Sequence, residues 1–489
     1  MSNSGNLGPY NLPQTVFMLS LSSNALFEQM AVPSELQSRI CQFLRGYQHD
    51  RKPEPAPFFV AMNQPNSNYP SLAMAEGATV GDWQAVWGPV VYVARDSVGL
   101  PINLGATNTM YVAHSPSLQT YVVAIAGTNP TGWTAATVED LDVGPGNMVL
   151  WPPKKNLLGK LEFKPSAQPL TDVAIDAGTA DGLLALYNMV CPYTKKKLVD
   201  FLDPANLSQS GQTIVFTGHS LGGALSPSVA MLLYPVGSQW ANFPANYDPN
   251  PHGGKWQNVF ILATAGPTPG NAQFAEQFYS PVSPAAPYTN TSPIMPAWPP
   301  AAPAATTSGA YQPVSTGIPV PPSPPPTQPT TPPTVGAWPI RYWNMNYANA
   351  YDVVPRAWTL LANLIQQPTV ADSDNYPSFF AGGEPLQGTA LGGGAYDIVG
   401  NVLKLSGYNG ATTTPYYAQC LQHFPICGLW GTWPTGVPYP QTFSQSNPDG
   451  PITSVDDLVN WILNAHLGQY SQMLLGYPCP GIGQAISGT

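Results

Sequence analysis

The chain has 489 residues, of which 43% are hydrophobic and only 9% are charged, and its formal net charge is −10. Such a chain can bury a large core, but its acidic balance argues against nucleic acid or anionic lipid as an electrostatic partner, since both need a basic face. The 58 prolines, about 12% of the residues against a usual 5%, exclude a helical bundle or coiled coil.

Residues 1–80 are predicted to form an N-terminal extension, to which we assign no chemistry. A short helical pattern follows Pro33 at residues 34–44, between connections rich in proline and asparagine. No basic stretch followed by an apolar stretch opens the chain, so we expect no signal peptide. The cytoplasm is then the default location, and an extracellular one stays open. We also expect no transmembrane segment, because no apolar run approaches the ~18 residues that span a bilayer.

From about residue 85 the sequence alternates between strand-like and helix-length segments. Continuous apolar runs are typical of strands that are buried on both faces of a parallel sheet. Such runs occur at residues 90–94, 110–113, 121–126, 213–217 and 258–263, and a further strand is predicted at 341–347. Helix-length segments lie at residues 172–189 and 224–233. The alternation predicts an α/β domain over residues 85–489, with a mostly parallel central sheet flanked by helices.

Residues 280–338 interrupt this order. The stretch is dominated by Pro, Ala, Ser and Thr and contains no charged residue. A segment of this composition cannot build a core and is predicted to be extended or disordered. Because strand-like sequence resumes after it, we interpret it as an insertion into one continuous domain. A role as the ligand of an aromatic-lined groove is the less favoured alternative.

The motif Gly218-His-Ser-Leu-Gly-Gly223 follows a predicted strand and opens a predicted helix. A tight strand-to-helix turn projects its central side chain outward, and the glycines allow the strand and helix to approach closely. The N–H groups at the start of the helix can then hold an oxyanion beside the Ser220 hydroxyl. The motif predicts a nucleophilic serine, with a plain glycine-rich turn as the alternative. His219 adjoins the serine but is expected to serve in packing.

A serine needs a histidine base and an orienting carboxylate before it attacks at neutral pH. Asp352 comes just after a predicted strand, where open α/β sheets keep their sites, although it could instead cap a turn or pair with Arg356. Chains with this serine turn carry their partners in the order Ser, Asp, His. Of the six histidines, only His423 and His466 follow Asp352.

Four stretches in the right order resemble the class 3 (fungal-type) lipases of the α/β-hydrolase superfamily. Residues 218–223 are similar to the family's nucleophile turn and residues 349–356 to its acid loop. Residues 122–128, with Trp133 and Asp140 behind them, resemble its oxyanion segment. Residues 264–271, with Phe274, resemble the segment after the next strand. The proline-rich insertion and Ala126, where the family is often basic, depart from the pattern.

The resemblance implies an α/β-hydrolase fold with Ser220 as nucleophile and Asp352 as acid. It favours His466 as the base, since the family places an aromatic residue soon after this histidine, and a tyrosine stands here at position 470. His423 remains the alternative. The resemblance further assigns the oxyanion-binding N–H groups to Thr128 and Leu221, and it places a lid near residues 142–158.

The function implied is the hydrolysis of carboxylic esters through an acyl-enzyme, most simply by a triacylglycerol lipase or a lipase-like esterase. A carboxylesterase, a feruloyl-type esterase or a phospholipase would use the same residues, and a non-catalytic binding protein on a hydrolase scaffold is a further alternative. We expect an ester or lipid substrate, with an interface as one place where the protein meets it, and no nucleic acid partner, cofactor or metal. The oligomeric state stays open.

Overall fold

The computed structural model describes residues 12–23, 83–93, 108–127, 145–157, 159–234 and 256–279. It also describes short pieces of the remaining chain, namely residues 343, 345–349, 352, 354–356, 417, 420–426, 466, 470 and 474. The helix predicted at residues 34–44 and the proline-rich insertion at 280–338 lie outside these ranges.

The described strands, in chain order, are β1 (Gln84–Tyr92), β2 (Asn108–Ser115), β3 (Thr120–Ile125), β4 (Met148–Leu150), β5 (Lys154–Lys155), β6 (Leu161–Glu162), β7 (Ala174–Asp176), β8 (Thr213–His219), β9 (Asn258–Thr264), β10 (Met345–Asn349) and β11 (Gln422–Ile426). The described helices are α1 (Leu12–Ser22), α2 (Ala177–Asn188), α3 (Leu198–Phe201), α4 (Leu221–Leu233) and α5 (Ala272–Tyr279). Short 3-10 helices cover Pro145–Asn147 and Val354–Arg356.

Among the described residues, seven strands form one sheet in the order β1-β2-β3-β8-β9-β10-β11. Strands β1, β2 and β3 pair antiparallel, and every later neighbour in the sheet is parallel. The parallel strands β3 and β8 are buried along their whole length, as expected for strands covered on both faces. The predicted mostly parallel sheet with flanking helices is confirmed.

The two faces of the sheet are covered by different helices. Alternate residues of β8, such as Phe216, join one core cluster with Leu225 and Val229 of α4. On the other face α1 approaches β8, where the rings of Phe17 and His219 are 6.4 Å apart. Helix α1 belongs to the predicted N-terminal extension, and it is nevertheless packed on the sheet with every residue buried. The domain boundary at residue 80 stays a prediction.

Two predicted helices begin at other residues than expected. The segment 172–189 starts with strand β7, which pairs with β4, and helix α2 begins only at Ala177. The reason is Asp176, whose carboxylate accepts hydrogen bonds from the backbone N–H (2.6 Å) and hydroxyl (2.9 Å) of Thr179 and so caps the helix. Helix α4 begins at Leu221, three residues before the predicted start.

Candidate active site

Ser220 lies between β8 and α4, at the carboxyl end of a central strand. Its backbone has φ 59° and ψ −129°, a conformation that residues other than glycine rarely adopt. Such a conformation costs of the order of 1–3 kcal/mol and persists only when the surrounding structure holds it. The predicted strand-to-helix turn is therefore present, and Ser220 stands on it in a strained backbone conformation.

The glycines of the motif are required because three backbone segments meet at this turn. A Cβ atom on Gly218 would collide with the backbone of Gly222. A Cβ atom on Gly222 would collide with Ile125 O and would come within 2.9 Å of the Ala126 carbonyl group, at the end of β3. The start of α4 therefore lies against the end of β3, which leads into the predicted oxyanion segment.

The turn is also fastened to the next strand. The Ser220 N–H donates to Thr264 O at 3.0 Å. A Cβ atom on Gly223 would lie 2.7 Å from Gly266 Cα, so α4 and the loop after β9 also pass in backbone contact. Asn346 of β10 holds that loop through two hydrogen bonds to Gly266, accepting from its N–H (3.0 Å) and donating to its carbonyl oxygen (2.8 Å).

Three side chains form a continuous hydrogen-bonded chain at this edge of the sheet. Ser220 Oγ is 2.8 Å from His466 Nε2, and His466 Nδ1 is 2.8 Å from Asp352 Oδ2. The Asp352 side chain is fully buried, and that of His466 is 7% exposed. With the Nδ1 proton on the imidazole, Nε2 is left to accept the serine proton.

Asp352 uses its two oxygens for different partners. Its Oδ2 faces His466, while Oδ1 accepts a 2.9 Å hydrogen bond from the N–H of Val354. The turn-capping role considered for this aspartate is thus present together with the contact to the histidine. Because the backbone bond fixes the carboxylate, it also fixes the direction from which the imidazole is held.

Of the two histidines considered from the sequence, the structure brings His466 to the serine. His423 lies on strand β11, in register with Asn346 of β10. Tyr470, the aromatic residue that favoured His466, is buried, and its ring centroid lies 6.5 Å from that of His466.

His219 packs against His466, the histidine that contacts Ser220. Its ring centroid is 5.0 Å from that of His466 and 5.1 Å from that of Tyr470. Its Nδ1 is 2.9 Å from the hydroxyl of Thr264, whose oxygen in turn lies 3.4 Å from Gly218 O. Burial, and next the nearby His466, lower the pKa of His219 well below its ordinary value. The expected packing role therefore has a specific form, a neutral imidazole wall behind His466.

Helix α1 supports the same group from the other side. Phe17 meets His219 edge to face, and Gln14 Nε2 donates to Leu474 O at 2.9 Å. Leu474 is buried and follows Tyr470 by four residues. Both ends of the described chain therefore meet next to His466. The sequence pattern did not indicate this brace.

One of the two predicted oxyanion donors can be placed. Leu221 is the first residue of α4 and is buried beside Ser220, and N–H groups at a helix start have no acceptor within the helix. Thr128 lies outside the described residues, but β3, which leads to it, ends against Gly222. The segment near residues 142–158 is not an unattached flap where it is described. Trp151 is 7% exposed, with its ring 5.2 Å from that of Phe274.

Asn271 is a second structural amide that the motif comparison quoted without assigning a role. Its side chain donates to Pro169 O (2.8 Å) and Asp172 O (2.6 Å) and accepts from the Ala174 N–H (3.3 Å). It thereby fastens the segment before β7 to the loop that follows β9. Buried polar residues inside predicted strands and loops, such as Asn271 and Asn346, were the available signal for both contacts.

The described residues contain no group of His, Cys, Asp and Glu side chains suited to hold a metal ion. None of the helices in the described part of the chain has both the length and the apolar character needed to cross a bilayer.

A mostly parallel sheet with a serine on a strained strand-to-helix turn, an aspartate after a later strand and a histidine from the C-terminal region define an α/β-hydrolase fold. Residues 151–302 match the family model of class 3 lipases. The match covers about a third of the chain, so the chain is similar to the class 3 lipases over that part, and it is a lipase-type carboxylic ester hydrolase.

One solved structure, that of M37 lipase, agrees with this fold. The chain is similar to M37 lipase, with 17% identity over 98% of this chain and 99% of that one, at a TM-score of 0.52. Lipase II from Rhizopus niveus is 17% identical over 57% of this chain and 62% of its own, with a TM-score of 0.27. The Rhizomucor miehei lipase propeptide complex is 14% identical over 57% of this chain and 53% of its own, with a TM-score of 0.28. No curated protein sequence matches the chain.

Proposed function

We propose that the protein hydrolyses carboxylic esters with Ser220 as nucleophile, His466 as general base and Asp352 as orienting acid. The observation that carries the proposal is the unbroken hydrogen-bonded chain from the Ser220 hydroxyl through the imidazole to a fully buried carboxylate. These three groups come from positions far apart in the sequence and meet at the carboxyl edge of the sheet. Packing alone does not require such an alignment.

The proposed reaction proceeds in two halves. Ser220 Oγ attacks the ester carbonyl carbon while His466 Nε2 takes its proton, and the tetrahedral species collapses as that proton passes to the leaving alcohol. Water then attacks the acyl-enzyme, with His466 accepting a proton from the water and returning it to Ser220 as the acid departs. The Asp352 carboxylate stabilises the imidazolium that forms in each half.

The neutral state of His219 favours this cycle. When His466 gains a proton, a second positive imidazole 5.0 Å away would oppose it. Burial lowers the pKa of His219, so its ring remains uncharged while His466 cycles. The wall behind the base is then polar enough to bond Thr264 but carries no charge.

The oxyanion is proposed to bind the N–H groups of Leu221 and Thr128. Leu221 offers the N–H at the start of α4, where the helix dipole also favours negative charge. Thr128 is assigned by resemblance, and the contact of Gly222 with the end of β3 supports it by bringing that segment to the turn. Losing one such donor is expected to cost about 10²–10³ in turnover.

We further propose that the substrate is a water-insoluble triacylglycerol. The match to class 3 lipases supports this class of ester over a soluble one. The small fraction of charged residues, 9% of the chain, is compatible with work at an apolar interface. Carboxylesterase, feruloyl-type esterase and phospholipase activities on the same residues are the competing outcomes of the substrate test.

Covalent labelling tests the nucleophile. A fluorophosphonate should label the wild-type protein and fail to label the Ser220→Ala variant. Ser226→Ala is the matched control, because Ser226 is buried in α4, the helix that follows Ser220, and its hydroxyl has no hydrogen-bond partner among the described residues. Absence of labelling in the folded wild-type protein would favour the binding-protein alternative.

A substrate panel tests the ester class. Wild-type protein that has not been treated with the fluorophosphonate is assayed on emulsified tributyrin and triolein, on nitrophenyl esters of increasing chain length, on a feruloyl ester and on phosphatidylcholine. A triacylglycerol lipase should turn over the emulsions with at least the efficiency seen for the soluble esters. Turnover confined to soluble short esters, feruloyl esters or phospholipid would replace the proposed substrate while leaving the nucleophile in place.

A further inference from the structure

A hairpin formed by β5, a turn and β6 carries an unusual concentration of positive charge. Four of the chain's 16 basic residues fall within residues 154–164, which we call the basic hairpin. Its lysines are exposed at positions 154, 155, 160 and 164. Within the described part of the chain, no carboxylate forms an ion pair with any of them. Glu162 is the acidic residue of the hairpin, so its local charge is positive in a chain of net charge −10.

The tip of the basic hairpin is apolar. The turn is closed by hydrogen bonds from the Asn156 N–H to Lys160 O (2.9 Å) and from the Gly159 N–H to Asn156 O (2.9 Å). Leu157 stands between these residues and is fully exposed, with a relative accessibility of 106%. A fully exposed leucine held at the end of a hydrogen-bonded turn can enter an apolar phase without any rearrangement of the backbone.

The base of the hairpin is attached at the edge of the sheet that carries Ser220. Strand β4 precedes the hairpin and pairs with β7, and β7 bridges to Gly270 in the loop after β9. Asn271 fastens the segment before β7 to that loop. The loop starts at Thr264, the residue whose carbonyl oxygen accepts the Ser220 N–H. A surface that binds the basic hairpin therefore lies toward the proposed catalytic edge.

We propose that the basic hairpin docks the protein onto an anionic lipid surface, with Leu157 inserted and the lysines over the headgroups. The charge is complementary, and each lysine near such a surface strengthens binding about fivefold. The proposal rests on the proposed function, because it gives a lipase its route to a lipid surface. It departs from the expectation based on net charge, since the acidic total conceals a local basic patch.

A second lysine cluster shows why position matters. Lys195, Lys196 and Lys197 lie beyond the C-terminal end of α2, whose first residue follows β7 at the catalytic edge. Twelve helical residues separate the two ends by about 18 Å, so this cluster lies toward the opposite edge of the sheet. Lys196 and Lys197 donate to Asn206 and Asn188, and the cluster is thus engaged within the protein.

The test measures vesicle binding in a Ser220→Ala background, so that no lipid is consumed. Vesicles of equimolar phosphatidylglycerol and phosphatidylcholine are compared with pure phosphatidylcholine by flotation. The variant Lys154→Gln/Lys155→Gln/Lys160→Gln should bind the anionic vesicles roughly a hundredfold more weakly. Leu157→Ser should weaken binding about tenfold through the lost apolar contact. Raising the salt concentration should weaken wild-type binding and not that of the triple variant.

The matched control is Lys195→Gln/Lys196→Gln/Lys197→Gln, which removes the same charge at the other edge. Equal weakening by both triple variants would overturn the proposal, since net charge alone would then explain the binding. Equal binding to both vesicle types would overturn it as well. If the hairpin triple variant binds the anionic vesicles as well as the wild-type protein does but no longer binds a short DNA duplex, the proposal is overturned. The hairpin is then a nucleic-acid surface.

The activity readouts separate this proposal from the proposed function. In a Ser220-containing protein the hairpin variants should keep their turnover of a soluble nitrophenyl ester and their fluorophosphonate labelling. Their activity on triolein emulsions doped with phosphatidylglycerol should fall. If vesicle binding behaves as expected but the wild-type protein takes no label, the docking surface stands and the catalytic assignment fails.

Discussion

The substitution Gly222→Ala tests whether the strand-to-helix turn at Ser220 positions the predicted oxyanion segment that follows β3. The added Cβ would collide with Ile125 O and approach the Ala126 carbonyl carbon and oxygen to 2.9 Å, where nine in ten real Cβ contacts are longer than 3.4 Å. All of these are backbone atoms, so no side-chain rotation relieves the contact. Either α4 or the end of β3 must move, and the residue two positions beyond Ala126 is the predicted oxyanion donor.

The expected cost has two parts. Overpacking of this kind destabilises a protein by roughly 1–3 kcal/mol, of which the helix preference of alanine returns at most about 1 kcal/mol. Displacement of one oxyanion donor should lower kcat by about 10²–10³, which is a larger effect than the loss of stability. KM for a small soluble ester should change little, since the donor acts mainly on the transition state.

The assay is steady-state hydrolysis of a nitrophenyl ester, with urea unfolding to confirm that the variant is folded. Gly182→Ala is the matched control, because its Cβ would meet only the flexible end of the Leu225 side chain, at 2.9 Å. Its kcat should stay at the wild-type value. A folded Gly222→Ala protein with kcat within about threefold of the wild type would refute the argument that this contact positions the donor.

Three further predictions concern the histidines and the N-terminal brace. His466→Ala should lower kcat by about 10²–10⁴, whereas His423→Ala should leave ester hydrolysis nearly unchanged; the reverse ranking would reassign the base. Gln14→Ala leaves the buried Leu474 carbonyl without this donor, so the urea midpoint should fall by the equivalent of about 1–3 kcal/mol and ester hydrolysis should decline with it. Because burial lowers the pKa of His219, only the unfolded state takes up its proton near pH 6.5, and stability should be lost as the pH falls below that value. Urea unfolding between pH 7.5 and 5.5 should show a shallower loss of stability in His219→Gln, by at most about 1 kcal/mol per pH unit, and an equally steep loss in this variant would contradict the argument.

The central sheet could be predicted because its parallel strands are buried on both faces. The apolar runs at 121–126, 213–217 and 258–263 fall on β3, β8 and β9 within a few residues. Asp352 could be selected because it follows a predicted strand of this sheet, and the carboxyl ends of parallel strands lie at one edge. These signals are local, and local sequence carries them well.

Other features depend on contacts that no local pattern encodes. Helix α1 is buried on every side, so it has no polar face and no helical periodicity to detect. The start of α2 depends on the Asp176 cap, and the helix-length segment predicted at residues 172–189 did not take this cap into account. The choice of His466 over His423 came from a family resemblance, because the sequence alone does not say which imidazole reaches a serine 246 residues away. The basic hairpin escaped notice because composition was averaged over the whole chain.

The wide sequence separations within the site have a consequence for synthesis. During synthesis, Ser220 and Asp352 leave the ribosome before His466, whose imidazole would activate the Ser220 hydroxyl. Gln14 is likewise made 460 residues before Leu474, whose carbonyl oxygen it binds. A nascent chain accordingly carries an attacking group without its proton acceptor. Under the proposed assignment, ester cleavage can begin only after the segment that carries His466 has reached the sheet, so the incomplete polypeptide is not yet a hydrolase.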